Sequence, residues 1–402
     1  MAPASSLMPP HGWRLVLVIG LAAAIAHALC QTLGYGSSPT AYGVVIACLV
    51  VRPDFRRWPL PIYPVLVILM GISLMIGVTV LGLFGAASGD VWLFAITTTV
   101  AQLFGLLLPG KLAMLQNIPP VAAVLPLLSN TTDLNTIGQE LVAISLGLLV
   151  GTLVQIGLAP ALPPEPEPEA AAIALPPLSD RLLNPRFWRK LLVAVLALAV
   201  GEGLGTATPK YLYFGVVLLL NDTVGATIAR CRDRVIGVSI GVLMPWLVFN
   251  TFDLSVVSLG LAMAGTTALC CLFGQQAHLR TALISSGVTF AGYGPLLNWY
   301  IPNRWLDYSL GSGLALLTSL VLAPDWALPH LLERTRSLRA ALRSPVDAND
   351  LNAHWQQLQA IAPDAREEAH WLGRRRQVQR LLSRLEQRWR QSSEHCAPEE
   401  AN

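Results

Sequence analysis

Tyr42-Gly43-Val44-Val45 returns 172 residues later as Phe214-Gly215-Val216-Val217, and its neighbours return in the same order. Upstream, Trp13-Arg14 opens one apolar run and Trp188-Arg189 opens another. Downstream, Ile76-Gly77-Val78-Thr79 is matched by Ile236-Gly237-Val238-Ser239, and Leu158-Ala159-Pro160 by Leu322-Ala323-Pro324. The offsets of 175, 172, 160 and 164 residues keep the order and differ only as loops differ in length. A duplicated apolar block of this kind predicts two helical bundles facing each other in a membrane, with a solute path between them.

Charged residues make up 13% of the 402 and hydrophobic ones 53%. A soluble domain carries about 25% charge, so lipid is the expected solvent. The six cysteines form no C-x-x-C pair and no metal-ligand spacing, so neither a metal nor a cofactor is expected. Ala26-His27-Ala28 resembles a signal-peptidase site, but the matching run at 187–206 lies mid-chain, so the first run reads as a retained helix.

Twelve membrane segments are expected: 12–34, 40–51, 62–85, 88–108, 111–129, 136–160, 187–206, 209–221, 233–250, 254–273, 279–297 and 304–323. Most approach the roughly 20 residues needed to cross the hydrocarbon core. The expected fold is an all-α membrane protein with two tandem six-helix repeats, residues 1–160 and 186–324. A Pro/Glu-rich cytoplasmic linker spans 161–185, and a small helical cytoplasmic tail spans 325–402. Thirteen of the fifteen Lys and Arg residues before 324 fall on one side if the N-terminus is cytoplasmic. The positive-inside rule then puts both termini in the cytoplasm. In the tail, Trp371, Val378, Leu382, Leu385 and Trp389 form one helical stripe flanked by arginines. That stripe suits packing on its own neighbours, a homo-oligomer contact, or a basic helix on anionic headgroups.

Ionisable groups within a membrane need a reason. His27 lies thirteen residues after Arg14, and Glu202 thirteen after Arg189, so they occupy one position in the two halves. An imidazole and a carboxylate there are candidates for proton coupling, against the alternative of local hydrogen bonding in a wet vestibule. Matched short or interrupted segments point to a transport site. Segments 40–51 and 209–221 run into Arg52 and Arg56, and into Arg230, Arg232 and Arg234. Segments 111–129 and 279–297 open on Lys111 and Arg280; the former is interrupted by Pro119-Pro120, beside Gln116 and Asn117. These residues are the candidate substrate contacts, although the positive-inside rule alone also places the cations. Gly237-Val238-Ser239-Ile240-Gly241 fits the hydrolase pattern G-x-S-x-G but lies in a membrane helix without partners, so its glycines read as helix packing. With no H-E-x-x-H, P-loop or dinucleotide fingerprint, an enzyme is not expected, and nothing points to a nucleic-acid partner.

The stretch DTVGATIARCRDRVIGVSIG at 222–241, with Phe187-Trp188-Arg189-Lys190 and Tyr211-Leu212-Tyr213-Phe214-Gly215 before it, resembles the fusaric-acid-resistance-like superfamily. That superfamily includes bacterial aromatic acid exporters and plant aluminium-activated malate transporters. The resemblance implies paired six-helix units in a bacterial inner membrane, with small organic anions passing between them, and in some members a membrane-fusion partner. It matches Arg230, Arg232 and Arg234 to the basic stretch before the glycine helix. The first half fits less well, because Arg52-Pro53-Asp54-Phe55-Arg56-Arg57 replaces the longer turn. An exporter of aromatic carboxylates is therefore the leading expectation. A passive organic-anion channel and a non-transporting scaffold with a lipid- or partner-binding tail are the alternatives.

Overall fold

A computed structural model describes residues 12–56, 58–59, 61–84, 91–108, 112, 115–129, 132–158, 178–205, 209–219, 223–253, 255–293, 297–322, 324–343 and 348–396. The described chain is all helical. In order come α1 (Gly12–Thr32), α2 (Ser37–Val50), α3 (Ile62–Phe84), α4 (Val91–Leu107), α5 (Ile118–Ala123), α6 (Leu125–Ser129) and α7 (Leu134–Leu158). After α8 (Leu178–Leu182) follow α9 (Pro185–Gly203), α10 (Pro209–Leu219), α11 (Val224–Thr251), α12 (Val256–Leu272), α13 (Leu279–Tyr293) and α14 (Leu297–Val321). The tail is α15 (Ala327–Ala341), α16 (Ala348–Trp371) and α17 (Arg375–Cys396). Among the described residues, α1, α3, α7 and α11 are long and apolar enough to cross a membrane; several others are apolar but shorter.

Local chemistry sets the helix ends. Asp133 accepts from the Asn135 and Thr136 amides at 3.0 and 3.1 Å and so starts α7. Ser255 and Ser258 cap α12 reciprocally, which satisfies amides that a helix start otherwise leaves open. Thr223 caps α11 by accepting from the Ala226 amide, so the helix starts nine residues before the expected segment. Arg230, Arg232 and Arg234 therefore lie inside the helix and not ahead of it. Pro119 and Pro120 open α5 instead of interrupting a longer helix, because proline is tolerated in the first turn, where its missing N–H has no partner to lose.

The packing cuts across the sequence halves. In residues 12–158, α2 packs on α1 and α7, and α3 on α4, α5 and α7; in residues 185–321, α10 packs on α9 and α14, and α11 on α12, α13 and α14. Between the halves, α1 packs on α12 and α2 on α13, while α4 packs on α9 and α5 on α10. One buried core joins α1, α2 and α7 to α12 and α13 around residues such as Ile19, Val44, Ile144, Met263 and Leu283. The other joins α3 and α4 to α9, α10 and α14 through residues such as Leu81, Phe94, Ala197, Val216 and Ala315. Glycine makes the tightest approaches. A Cβ on Gly147 would lie 2.3 Å from the Gly43 carbonyl oxygen, and one on Gly215 3.0 Å from the Gly311 Cα. The tail has its own core, in which Trp355 stacks on Trp389 at 5.0 Å. Val378, Leu382 and Leu385 are buried there, while Trp371 is exposed.

Candidate functional site

Three of the expected cations gather near the start of α13 and the turn after α2. Arg280 lies over the Trp58 ring, 5.8 Å from its centroid, and Arg52 approaches the same ring at 5.4 Å. Arg52 is also held by Asp54 through two contacts of 3.0 and 2.9 Å, with Arg56 3.9 Å from the same carboxylate. Buried Gln155 fixes this turn: its amide nitrogen donates to the Phe55 carbonyl at 2.8 Å, and Phe55 itself sits at φ 55°. Beside Arg280, Asp233 on α11 accepts from Thr281 at 2.8 Å and lies 2.6 Å from His278 Nδ1. Arg280 is exposed. A guanidinium over an indole, next to an exposed surface, is suited to a flat ring carrying a carboxylate, since the ring can stack while the fork holds two oxygens.

From that cluster onward, α13 carries Thr281, Ser285 and Thr289 at four-residue spacing, so they share a face. All three are buried. The Ser285 and Thr289 hydroxyls have no hydrogen-bond partner among the described residues, whereas Ser286 bonds Thr266 of α12 at 3.1 Å.

The second seam holds a different set. Tyr213 of α10, fully buried, has its hydroxyl 2.7 Å from Thr98 Oγ1 of α4, and it donates to the Pro120 carbonyl of α5 at 3.1 Å. Lys190 of α9 donates to Asn117 Oδ1, ahead of α5, at 2.6 Å. The Gln116 backbone packs against Gly105, where a Cβ would lie 2.5 Å from its carbonyl.

The remaining arginines part company. Arg234 is buried, lies 4.7 Å over the Tyr308 ring and donates to its hydroxyl at 3.2 Å. Arg232 turns to the tail and makes a two-point contact with Glu367 at 2.7 and 2.9 Å. Arg230 is exposed and has an interaction of its own. Lys111 and the Glu202 side chain lie outside the described residues. His27 is buried on the face of α1 that carries Gly20 and Ala24 against α12, and neither ring nitrogen has a hydrogen-bond partner among the described residues. Glu202 belongs to α9, which packs on α4 and not on α12, so the two positions belong to different seams.

Three carboxylates escaped the sequence reading. Glu140 on α7 is buried, with Oε1 accepting from Ser38 at 3.3 Å and Oε2 without a partner among the described residues. Asp307 on α14 is buried near Tyr308 in sequence. Glu368 on α16 is buried and accepts from the Gly225, Ala327 and Leu328 amides at 2.9, 2.8 and 2.9 Å, capping α11 and α15 together. The only hint of Glu140 was its place in an apolar run; Glu368 had none.

Helical throughout, with several apolar helices and polar side chains enclosed between them, the chain is a membrane protein. Residues 195–318, which run from α9 to α14, match the family model described as fusaric acid resistance protein-like. No curated protein and no solved structure matches.

Proposed function

We propose that the protein exports small organic anions, with aromatic carboxylates as the best-fitting class, across a bacterial inner membrane with both termini in the cytoplasm. The observation that carries this reading is the convergence of Arg52 and Arg280, from opposite halves of the sequence, on the ring of Trp58. That is a cytoplasmic-side cluster in which an anion is gathered electrostatically and its ring is held flat. The match of residues 195–318 to the fusaric acid resistance protein-like family supports a transport or efflux role.

Twelve crossings in two six-helix repeats account for the recurring neighbours of α1–α7 and α9–α14 and for the matched glycine contacts at Gly43–Gly147 and Gly215–Gly311. In this reading the halves are interleaved, and rocking of one core against the other opens the path alternately. The buried hydroxyls of α13 and the Tyr213–Thr98 seam are the polar groups available along it. His27 and Glu202, one per seam, are the proposed proton-coupling groups.

The test is efflux of radiolabelled benzoate from cells preloaded at two external pH values. Wild-type protein should speed efflux. Arg280→Gln should slow it at least fivefold at either pH, and His27→Gln should remove only the pH dependence. Efflux that is unaffected by Arg280→Gln, in a variant shown to be inserted, would refute the binding role of this cluster. A passive channel becomes the better reading if His27→Gln leaves every flux unchanged and purified protein conducts benzoate in a planar bilayer.

A further inference from the structure

Where α11, α16 and α17 meet, a recess of about 250 Å³ is lined by Arg232, Arg366, Glu367, His370, Arg375 and Gln379. The turn through Gly373, at φ 70°, folds the end of α16 back beside the start of α17 and so brings Arg366 and Arg375 to one place. Three guanidinium groups face one carboxylate here, which leaves two positive charges over. Glu367 is already engaged by Arg232, and neither Arg366 nor Arg375 has an ion-pair partner among the described residues. Like charges held together without a counter-ion are destabilising, so the arrangement is completed by an anion. The recess is smaller than the roughly 300–1,000 Å³ of clefts for drug-sized ligands, which restricts that anion to a small head.

We propose that this recess binds a dianionic phosphate monoester. Guanidinium forks match tetrahedral oxyanions with two parallel hydrogen bonds each, and two uncompensated positive charges match two negative ones. On the topology proposed above, the first third of α11, which carries Arg232, lies on the cytoplasmic side, and the helix is long and apolar enough to enter the bilayer, which puts the recess near headgroup depth. The same chemistry is offered by a phosphatidate head in the membrane and by a soluble phosphate. The inference concerns binding and stands whether or not the protein moves solute.

The full-length protein in phosphatidylcholine nanodiscs is titrated with inorganic phosphate by calorimetry. In a parallel arm, nanodiscs doped with phosphatidate are analysed by native mass spectrometry for retained lipid. Saturable binding is expected in at least one arm: retention of phosphatidate alone assigns the lipid, and a calorimetric isotherm assigns the soluble ion. The R366Q/R375Q double variant should weaken binding at least tenfold, while R388Q, on the same helix outside the recess, should bind as wild type. The thermal midpoint in neutral nanodiscs checks folding. If the double variant unfolds, R375Q alone should weaken binding at least threefold. The proposal is overturned by the absence of saturable binding in both arms, by wild-type affinity in the recess variants, or by an equal loss in R388Q.

Discussion

The Tyr213 hydroxyl on α10 lies 2.7 Å from Thr98 Oγ1 on α4 and also donates to the Pro120 carbonyl on α5 at 3.1 Å, tying the two sequence halves at a point without solvent access. Membrane hydrogen bonds contribute about 0.6 kcal/mol on average and up to about 1.7. Tyr213→Phe should therefore destabilise the protein by about 1–2 kcal/mol, read as a lowered thermal midpoint in detergent. Combined with Thr98→Ala, it should add less than the sum of the two single losses. Strict additivity would mean the two hydroxyls are not coupled.

Close helix approach should be steeply sensitive at one set of glycines and indifferent at another. Gly147→Ala puts a methyl group 2.3 Å from the Gly43 carbonyl oxygen, so α2 and α7 must separate. Gly82, in α3, has no atom within 4 Å of an added Cβ. Gly82→Ala should raise stability slightly, by about 0.4–1 kcal/mol, while Gly147→Ala should lower it by about 1–3 kcal/mol, as overpacking does. Midpoints of the two variants in the same detergent decide the matter.

Glu368 should act as the clasp between the membrane helices and the tail. Its carboxylate accepts three backbone amides from two helix starts, and hydrogen bonds to charged groups contribute about 1.5–3 kcal/mol each. Glu368→Ala should expose the segment joining α14 to α15, so limited proteolysis releases a fragment containing α15–α17 at least tenfold faster than in wild type. Thr223 also bonds Asp364 at 2.8 Å, so Asp364→Ala should show the same effect in weaker form. An unchanged digestion rate in Glu368→Ala would place the attachment elsewhere.

Asp133, just ahead of α7, gives a pH signature. Its carboxylate is held below the ordinary aspartate range, chiefly by the Thr136 hydroxyl and then by the Asn135 and Thr136 amides. A folded-state pKa below the unfolded one means the cap stabilises α7 above the unfolded pKa and loses its contribution as pH falls through the lowered value. Asp133→Asn should therefore differ from wild type at neutral pH, and the difference should begin to shrink as pH falls below about 4 and close only below the lowered folded-state value. Midpoints measured across pH 3–7 test this.

Much of the helical framework is legible in the sequence, because apolar runs fix where helices lie. The start of α11 is not. Arg230, Arg232 and Arg234 look like a loop by charge, yet Arg232 finds Glu367 and Arg234 finds Tyr308, so the helix carries them. Pro119-Pro120 reads as an interruption until it is seen to open a helix. The crossing of the halves is equally hidden: periodicity shows which face of α1 is apolar, but nothing in it names α12 as the partner. Arg52 and Arg280 were singled out separately, and only the packing of α2 on α13 brings them to one ring. Glu140 and Glu368 do not stand out in the sequence, because a single carboxylate near a helix end looks solvated.

The central claim, that an anion is gathered where Arg52 and Arg280 meet Trp58, is tested most directly with inverted membrane vesicles. In these the cytoplasmic face looks outward, so export appears as uptake. Vesicles carrying the protein should accumulate radiolabelled benzoate above protein-free vesicles, and Trp58→Ala and Arg280→Gln should each reduce that uptake at least fivefold with the protein still inserted. Uptake no greater than in protein-free vesicles across a panel of aromatic acids, or full uptake in both variants, would contradict it.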